Sequence, residues 1–282
     1  MIDRVVEGAR MIAPPVLSAA VSLALAPLID AEPRPAFVLG VADPAVWIGA
    51  AGGVLTVSTG DAVRLPNGVV VAERAADRPF GEILPGEEVM VGGGAIVFAS
   101  LRIEAVRWFD SRPALPASTA AAVSRVAASL EGVAVRPMAD HGFLEALIQD
   151  DDGAALEAAR LLIGFGDGLT PSGDDLIAGT IAAMLLIGGS LGAATAVAMV
   201  GRLESPLLDH AAAATTSLSA SLLGHAFRGE VAAPAGALLA ALAGRGDPAT
   251  AVAALNAVGH SSGPALAAGV LAGTRAAIER SR

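Results

Sequence analysis

Residues 164–175 read GFGDGLTPSGDD and combine several features suited to binding a small polar ligand. Glycines at alternate positions let a backbone approach a ligand closely, and Thr-Pro followed by Ser-x-x-Asp gives two overlapping signatures of a helix start. The amide groups and the dipole of a helix start attract anions. We therefore predict a substrate-binding segment made of Gly164, Gly166, Gly168, Thr170, Ser172 and Gly173.

Asp174 and Asp175 give this segment its own negative charge. Carboxylates in the first turn of a helix can simply complement the helix dipole. Three glycines, two cap signatures and three acids, counting Asp167, exceed what a helix start requires. We therefore predict that Asp174 and Asp175 are catalytic, and that they are the ligands if the site holds a metal ion such as Mg²⁺.

A second segment, SGPALAAG at 262–269, repeats part of SGDDLIAG at 172–179. The repeat predicts two helices that start alike, pack through small residues and direct their N-termini at one ligand. The second copy lacks the acids and follows a histidine. It predicts substrate contacts from Ser261, Ser262 and Gly263 and a general acid or base at His260, for which a polar structural role is the alternative.

A third segment, TTSLS at 215–219, places hydroxyls in what reads as a helix that continues to His225 and Arg228. We predict that Thr215, Thr216 and Ser219 bind substrate. The alternative is that these hydroxyls bond their own backbone.

Composition excludes several classes of chemistry. The chain has no Cys, no Tyr and no Lys, since all 18 basic residues are Arg. A thiolate nucleophile, a Schiff-base lysine and a Walker lysine are therefore excluded. The net charge of −10 and the scattered arginines argue against a nucleic-acid partner. The histidines have no zinc-ligand spacing.

Two apolar stretches raise the question of a membrane. Residues 11–29 resemble a signal core only faintly, because acids cancel the flanking arginines and two prolines open the stretch. Residues 176–201 are uncharged, and the glycines at 188 and 189 predict two core helices joined by a turn. We expect a cytoplasmic protein without a membrane span.

The chain divides by pattern into two parts. After a leading apolar helix, residues 36–110 carry short Val- and Ile-rich runs separated by turn residues, which predicts a small antiparallel, barrel-like β domain at 1–113. A Pro-rich linker precedes a helix with Ser118 as its N-cap, and 114–282 are predicted to be an α-helical domain. The fold class is α+β.

GFGDGLTPSGDDLIAG, TTSLS and GHSSG, in this order and spacing, resemble a bacterial family long described as a domain of unknown function. That family includes the smallest subunit of oxamate carbamoyltransferase, an enzyme of anaerobic allantoin degradation. The family tends to have an acid after Ser-Gly-x in the last motif, where this chain has Ala265. A catalytic acid from the second helix start is therefore not expected here.

The resemblance implies carbamoyl transfer, in which oxalurate and phosphate exchange with oxamate and carbamoyl phosphate, in a complex with larger partner subunits. The substrate would be a small anion, and an aspartate would orient the amide or hold Mg²⁺ beside a phosphate. We expect an enzyme subunit. The alternatives are a non-catalytic metabolite-binding or scaffold subunit and, in a third class, a membrane-embedded protein.

Overall fold

The computed structural model describes residues 14–130 and 139–282. The part of the leading-helix prediction that falls on residues 1–13 lies outside the described residues. The described chain begins with eight strands that close into a barrel in the order β1-β5-β4-β3-β2-β6-β7-β8. The strands are β1 Val16–Ser22, β2 Arg34–Ala42, β3 Ala45–Ala50, β4 Gly53–Ser58, β5 Gly68–Val71, β6 Glu88–Gly92, β7 Ala95–Val97 and β8 Arg102–Phe109.

The barrel confirms the α+β prediction but adds a feature that the sequence pattern does not give. Six strand pairs are antiparallel, whereas β1 pairs with β8 and β4 with β5 in parallel. These parallel pairs let the first strand close the sheet against the last one, so no described edge is left open. Val, Ile and Leu side chains such as Val46, Ile48 and Leu55 fill the interior.

The prediction of a leading helix is wrong for the residues from 14 onward, which the structure describes. Residues Val16–Ser22 form strand β1, and helix follows only as a short 3-10 turn at Leu23–Leu25 and helix α1 at Ala26–Ile29. Ala19 and Val21 face the barrel core, as the two-residue period of a strand requires. An Ala-, Val- and Leu-rich run satisfies a helical and a strand pattern equally well, and closure of the barrel decides between them.

The described residues after the barrel are mainly helical. The helices are α2 Ala120–Ser129, α3 Phe143–Gln149, α4 Asp152–Leu162, α5 Ser172–Leu191, α6 Ala194–Ala214, α7 Ser217–Phe227, α8 Ala233–Leu242, α9 Pro248–Asn256 and α10 Ser262–Glu279. Their apolar faces share one core. Thr119, rather than Ser118, caps α2, because its hydroxyl accepts a hydrogen bond from the amide of Ala122 at 3.2 Å.

Helix α5 is the central helix of this half. It is long and apolar enough to cross a membrane by length and composition, but most of it is buried among the other helices, as a core helix would be. The turn predicted at the glycines 188 and 189 lies a few residues before the observed end of the helix. The helix continues to Leu191 and ends at Gly192, whose φ of +71° is readily adopted by glycine.

Candidate functional site

The starts of α5 and α10 lie side by side. The helices run parallel in such close contact that a Cβ at Gly269 or Gly273 would overlap a carbonyl oxygen of α5. At the open end of this contact, Thr170 Oγ1 is 2.8 Å from Ser262 Oγ. The expectation that the repeated segments pack through small residues, with their N-termini side by side, is confirmed. That both N-termini contact one ligand stays a prediction.

The expected caps of α5 are wrong. Pro171 occupies the N-cap position, and neither Thr170 nor Ser172 caps the helix with its side chain. The amide of Gly173 donates instead to the carbonyl of Phe165 at 2.9 Å, and that of Asp174 to Pro171 at 3.0 Å. These two amides of the first turn are therefore already occupied within the chain.

The glycines of the segment serve the path of the chain. Gly164, Gly166 and Gly168 all have positive φ, which other residues rarely adopt. A Cβ at Gly164 would overlap the carbonyl oxygen of Ala214, and one at Gly173 that of Leu162. Close contact with the backbone of other segments of the same chain therefore accounts for Gly164 and Gly173 without a ligand.

Asp174 joins three parts of the helical half. Its carboxylate is almost fully buried, and Oδ1 accepts from the amide of Gly164 at 2.8 Å. Oδ2 accepts from the hydroxyls of Thr215 and Ser219, the latter at 2.6 Å. Both oxygens are therefore engaged in fixing the loop and the start of α7 to α5.

The hydroxyl segment does not lie inside one helix as expected. Thr215 ends α6 and Thr216 is the N-cap of α7. The Thr216 hydroxyl accepts from the amide of Ser219 at 3.1 Å and donates to the carbonyl of Leu169 at 2.6 Å. Thr215 and Ser219 come together at Asp174, whereas Thr216 fixes the loop before α5.

Asp175 faces a different environment. It lines a cavity of about 340 Å³ between the barrel and the helices, which we call the Asp175 cavity. Strands β3 and β4 contribute one wall, and α5, α7 and α10 the other. Its lining includes Trp47, Thr56, Ser58, Leu169, Thr170, Asp175, Leu218, Leu222, Glu230, Val258, Ser262 and Leu266.

The pKa of the Asp175 carboxyl lies close to neutral pH. Burial raises its pKa to about 7, the hydroxyl of Ser262 lowers the pKa by favouring the charged form, and the charge of Asp174 raises it. Oδ2 is buried and has no hydrogen-bond partner among the described residues. A carboxyl in this state can accept or give up a proton near neutral pH.

The residues predicted just before and at the start of α10 lie mostly outside the lining of the Asp175 cavity. His260 is exposed and is not among the residues that line the cavity, although its neighbours Gly259 and Ser262 are. Ser261 and Gly263 are likewise outside the lining, and the amide of Gly263 donates to the carbonyl of Val258 at 2.9 Å. The catalytic role of His260 stays a prediction.

The structure offers few ligand atoms for the predicted metal ion at Asp174 and Asp175. Within residues 14–130 and 139–282, no group of three or more His, Asp or Glu side chains is arranged to hold a metal ion. The two oxygens of Asp174 are occupied, which leaves one buried oxygen of Asp175. A role of Asp174 and Asp175 as Mg²⁺ ligands stays a prediction.

Most of the cavity lining was not predicted from the sequence, and Trp47, Thr56 and Glu230 are among the residues missed. Trp47 and Thr56 come from the barrel, which carries no recognisable chemical motif, and Glu230 follows α7. Thr56 is almost fully buried, and its hydroxyl has no hydrogen-bond partner among the described residues. Only the position of the barrel against the helices reveals these residues.

The fold and the site define an α+β protein with a carboxyl-bearing cavity between a closed barrel and a helical half. Residues 162–274, which run from the end of α4 into α10, match the model of a family described as oxamate carbamoyltransferase subunit AllH. This match supports membership of the chain in that family. No curated protein and no solved structure matches the chain.

Proposed function

We propose that the chain is a cytoplasmic subunit of an oxamate carbamoyltransferase-like complex of allantoin breakdown, working with larger partner subunits. The family match and the shared order of the three motifs support this proposal. In the reaction, a carbamoyl group passes between the amide nitrogen of oxamate and an oxygen of phosphate. The Asp175 cavity would take up the amide or ureide end of the substrate.

The observation that carries the proposal is the state of Asp175. When the oxamate nitrogen attacks carbamoyl phosphate, an N–C bond forms, the C–O bond to phosphate breaks, and the nitrogen loses a proton. In the reverse direction the leaving nitrogen must regain that proton. A buried carboxyl with a pKa of about 7 and an oxygen without a partner can take the proton in one direction and return it in the other.

Asp175 suits this role better than Asp174. Both oxygens of Asp174 accept hydrogen bonds from the loop and from α7. Proton exchange at Asp174 would disrupt those bonds. We therefore assign proton exchange to Asp175, positioning of the loop to Asp174, and contacts with the amide end to Thr170 and Ser262.

The anion-binding part of the prediction has less support. Amides in the first turn of α5 and of α10 bond within the chain, and the cavity lining includes Asp175 and Glu230 but no Arg. Carboxylate and phosphate groups would therefore have to be bound outside this cavity. The same observation favours a second candidate function, a non-catalytic subunit whose cavity binds an uncharged metabolite.

The two functions are separated by assay of the chain purified with its partner subunits. Asp175→Asn should lower kcat by at least about 100-fold, a typical contribution of a general acid or base, while the complex still assembles in gel filtration. Asp167→Asn, an exposed acid of the same loop, is the matched control and should retain parental kcat. Parental kcat in the assembled Asp175→Asn complex would favour the non-catalytic function.

A further inference from the structure

A second cavity lies between α7 and the barrel and differs in charge from the Asp175 cavity. Its volume is about 360 Å³, and we call it the His225 cavity. Ser221 and His225 of α7 and Arg228, its C-cap, line it, whereas Leu218, Leu222 and Ala226 of α7 line the Asp175 cavity. Its polar and charged side chains are those of Glu32, Arg34, Ser221, His225 and Arg228.

His225 is held in a fixed orientation in the wall of this cavity. The residue is buried, and its Nδ1 lies 2.7 Å from Oε2 of Glu230, which also accepts from Nε of Arg228 at 3.0 Å. Burial acts to raise the pKa of Glu230, but the hydrogen bond from His225 and the charge of Arg228 outweigh it and hold that pKa below its ordinary value. Glu230 is therefore an ionised acceptor at neutral pH.

The ionised Glu230 determines which nitrogen of His225 carries hydrogen. Nδ1 must donate to the carboxylate, so the Nη2 group of Arg228, 3.0 Å from the same nitrogen, cannot donate to it. In the neutral imidazole, Nε2 then bears a lone pair. Nε2 has no hydrogen-bond partner among the described residues, so it is the ring nitrogen of this cavity-lining residue that is available to a ligand.

Arg34 supplies the positive charge. It is the first residue of β2, it is exposed, and it has no ion-pair partner within the described parts of the chain. Arg228, in contrast, is already paired with Glu230. The cavity thus combines a guanidinium without an ion-pair partner, the exposed carboxyl of Glu32 beside it, and an imidazole nitrogen that can accept a hydrogen bond.

We propose that the His225 cavity binds inorganic phosphate, which retains a proton at neutral pH. Arg34 binds the charged oxygens in the forked geometry that guanidinium groups offer. Nε2 of His225 accepts the P–O–H group. Sulfate has the same shape and charge but carries no proton at neutral pH, so the imidazole discriminates against it.

Phosphate is also a reactant of the proposed reaction, but this proposal uses a different cavity and different residues, so its failure and the failure of the proposed function are measured separately. The test is calorimetric titration of the full chain with inorganic phosphate at pH 7 and constant ionic strength. Saturable binding is expected, with sulfate at least about tenfold weaker because it lacks the donor for Nε2. Glycerol phosphate in a parallel titration should also bind more weakly than inorganic phosphate, because a phosphate monoester, with a second pKa of about 6, has largely lost its P–O–H group at pH 7.

Two variants assign the binding to this cavity. Arg34→Gln should weaken phosphate binding roughly 10- to 100-fold, the usual effect of losing a charge-assisted hydrogen bond. His225→Asn retains a donor toward Glu230 and removes Nε2, and it should abolish the preference for phosphate over sulfate. Arg107→Gln removes an exposed barrel arginine outside the cavity and should bind phosphate like the parent.

The absence of saturable phosphate binding would overturn the proposal. Parental affinity in Arg34→Gln would also overturn it. Because Arg34 is exposed, we expect this variant to fold, so its affinity can be measured even if His225→Asn does not fold. Loss of phosphate binding in Asp175→Asn but not in Arg34→Gln would place the anion at the helix starts instead. Equal affinity for sulfate and phosphate would remove the role of Nε2.

Discussion

Thr170 and Ser262 are 92 positions apart in the sequence, yet their hydroxyl oxygens lie 2.8 Å apart. The contact joins the loop before α5 to the start of α10. Both residues line the Asp175 cavity, where their hydroxyls favour the charged form of Asp175 against the effect of burial. The two hydroxyls at the helix starts therefore oppose the effect of burial on the pKa of Asp175.

Removal of these two hydroxyls should raise the pKa of Asp175 above about 7. In a Thr170→Val, Ser262→Ala double variant, burial and the charge of Asp174 remain, while the groups that stabilise the carboxylate are lost. The measurement is a ¹³C NMR titration of the aspartate carboxyl carbons. Ser261→Ala, at an exposed neighbouring position, should leave the titration unchanged. A lower pKa in the double variant would contradict the assignment.

Much of the helical site could be predicted from the sequence because its signals are local. The repeated small residues at 172–179 and 262–269 predict the parallel contact of α5 and α10, and the order of motifs predicts the family. The caps could not be assigned, since Thr-Pro-Ser-Gly fits more than one register of a helix start. Pro171 takes the N-cap position, and Gly173 bonds back to the loop.

The barrel's contribution could not be predicted, for a different reason. Its short strands are recognisable, but closure by the parallel pair of β1 and β8 joins segments about as far apart as the domain allows. The approach of Trp47 and Thr56 to α7 is likewise a long-range relationship. Nothing in the residues of β3 or β4 distinguishes a wall of a cavity from an ordinary barrel surface.

Asp174→Asn should destabilise the fold by about 2–4 kcal/mol, because one carboxylate oxygen that accepts hydrogen bonds becomes an NH₂ group facing donors. Gly164, Thr215 and Ser219 all donate to Asp174, so at least one of them loses its acceptor. Urea unfolding monitored by circular dichroism gives the free energy. Asp167→Asn should lie within about 0.5 kcal/mol of the parent, as an exposed substitution usually does. Equal stability of the two variants would remove the structural role of Asp174.

Gly269→Ala should force α5 and α10 apart, because the added Cβ would overlap the carbonyl of Leu176. We expect a loss of about 3 kcal/mol or more, since a rigid backbone group cannot move aside cheaply. Gly189→Ala is the matched control in α5, where the Cβ meets no atom within 4 Å. That change should stabilise the protein by about 0.5–1 kcal/mol. Thermal unfolding compares the two, and similar melting temperatures would contradict the close packing.

The raised pKa of Asp175 predicts how stability changes with pH. The unfolded chain releases this proton near the ordinary value of 3.8, and the folded chain retains it up to about 7. Between these values the folded state binds the extra proton, so the contribution of Asp175 to stability falls as pH rises, by roughly 1.4 kcal/mol per pH unit. Asp175→Asn cannot titrate, and its stability relative to the parent should therefore increase from pH 4 to pH 7. Urea unfolding of both proteins across this range measures the difference, and a difference that is constant with pH would show that Asp175 titrates normally in the fold.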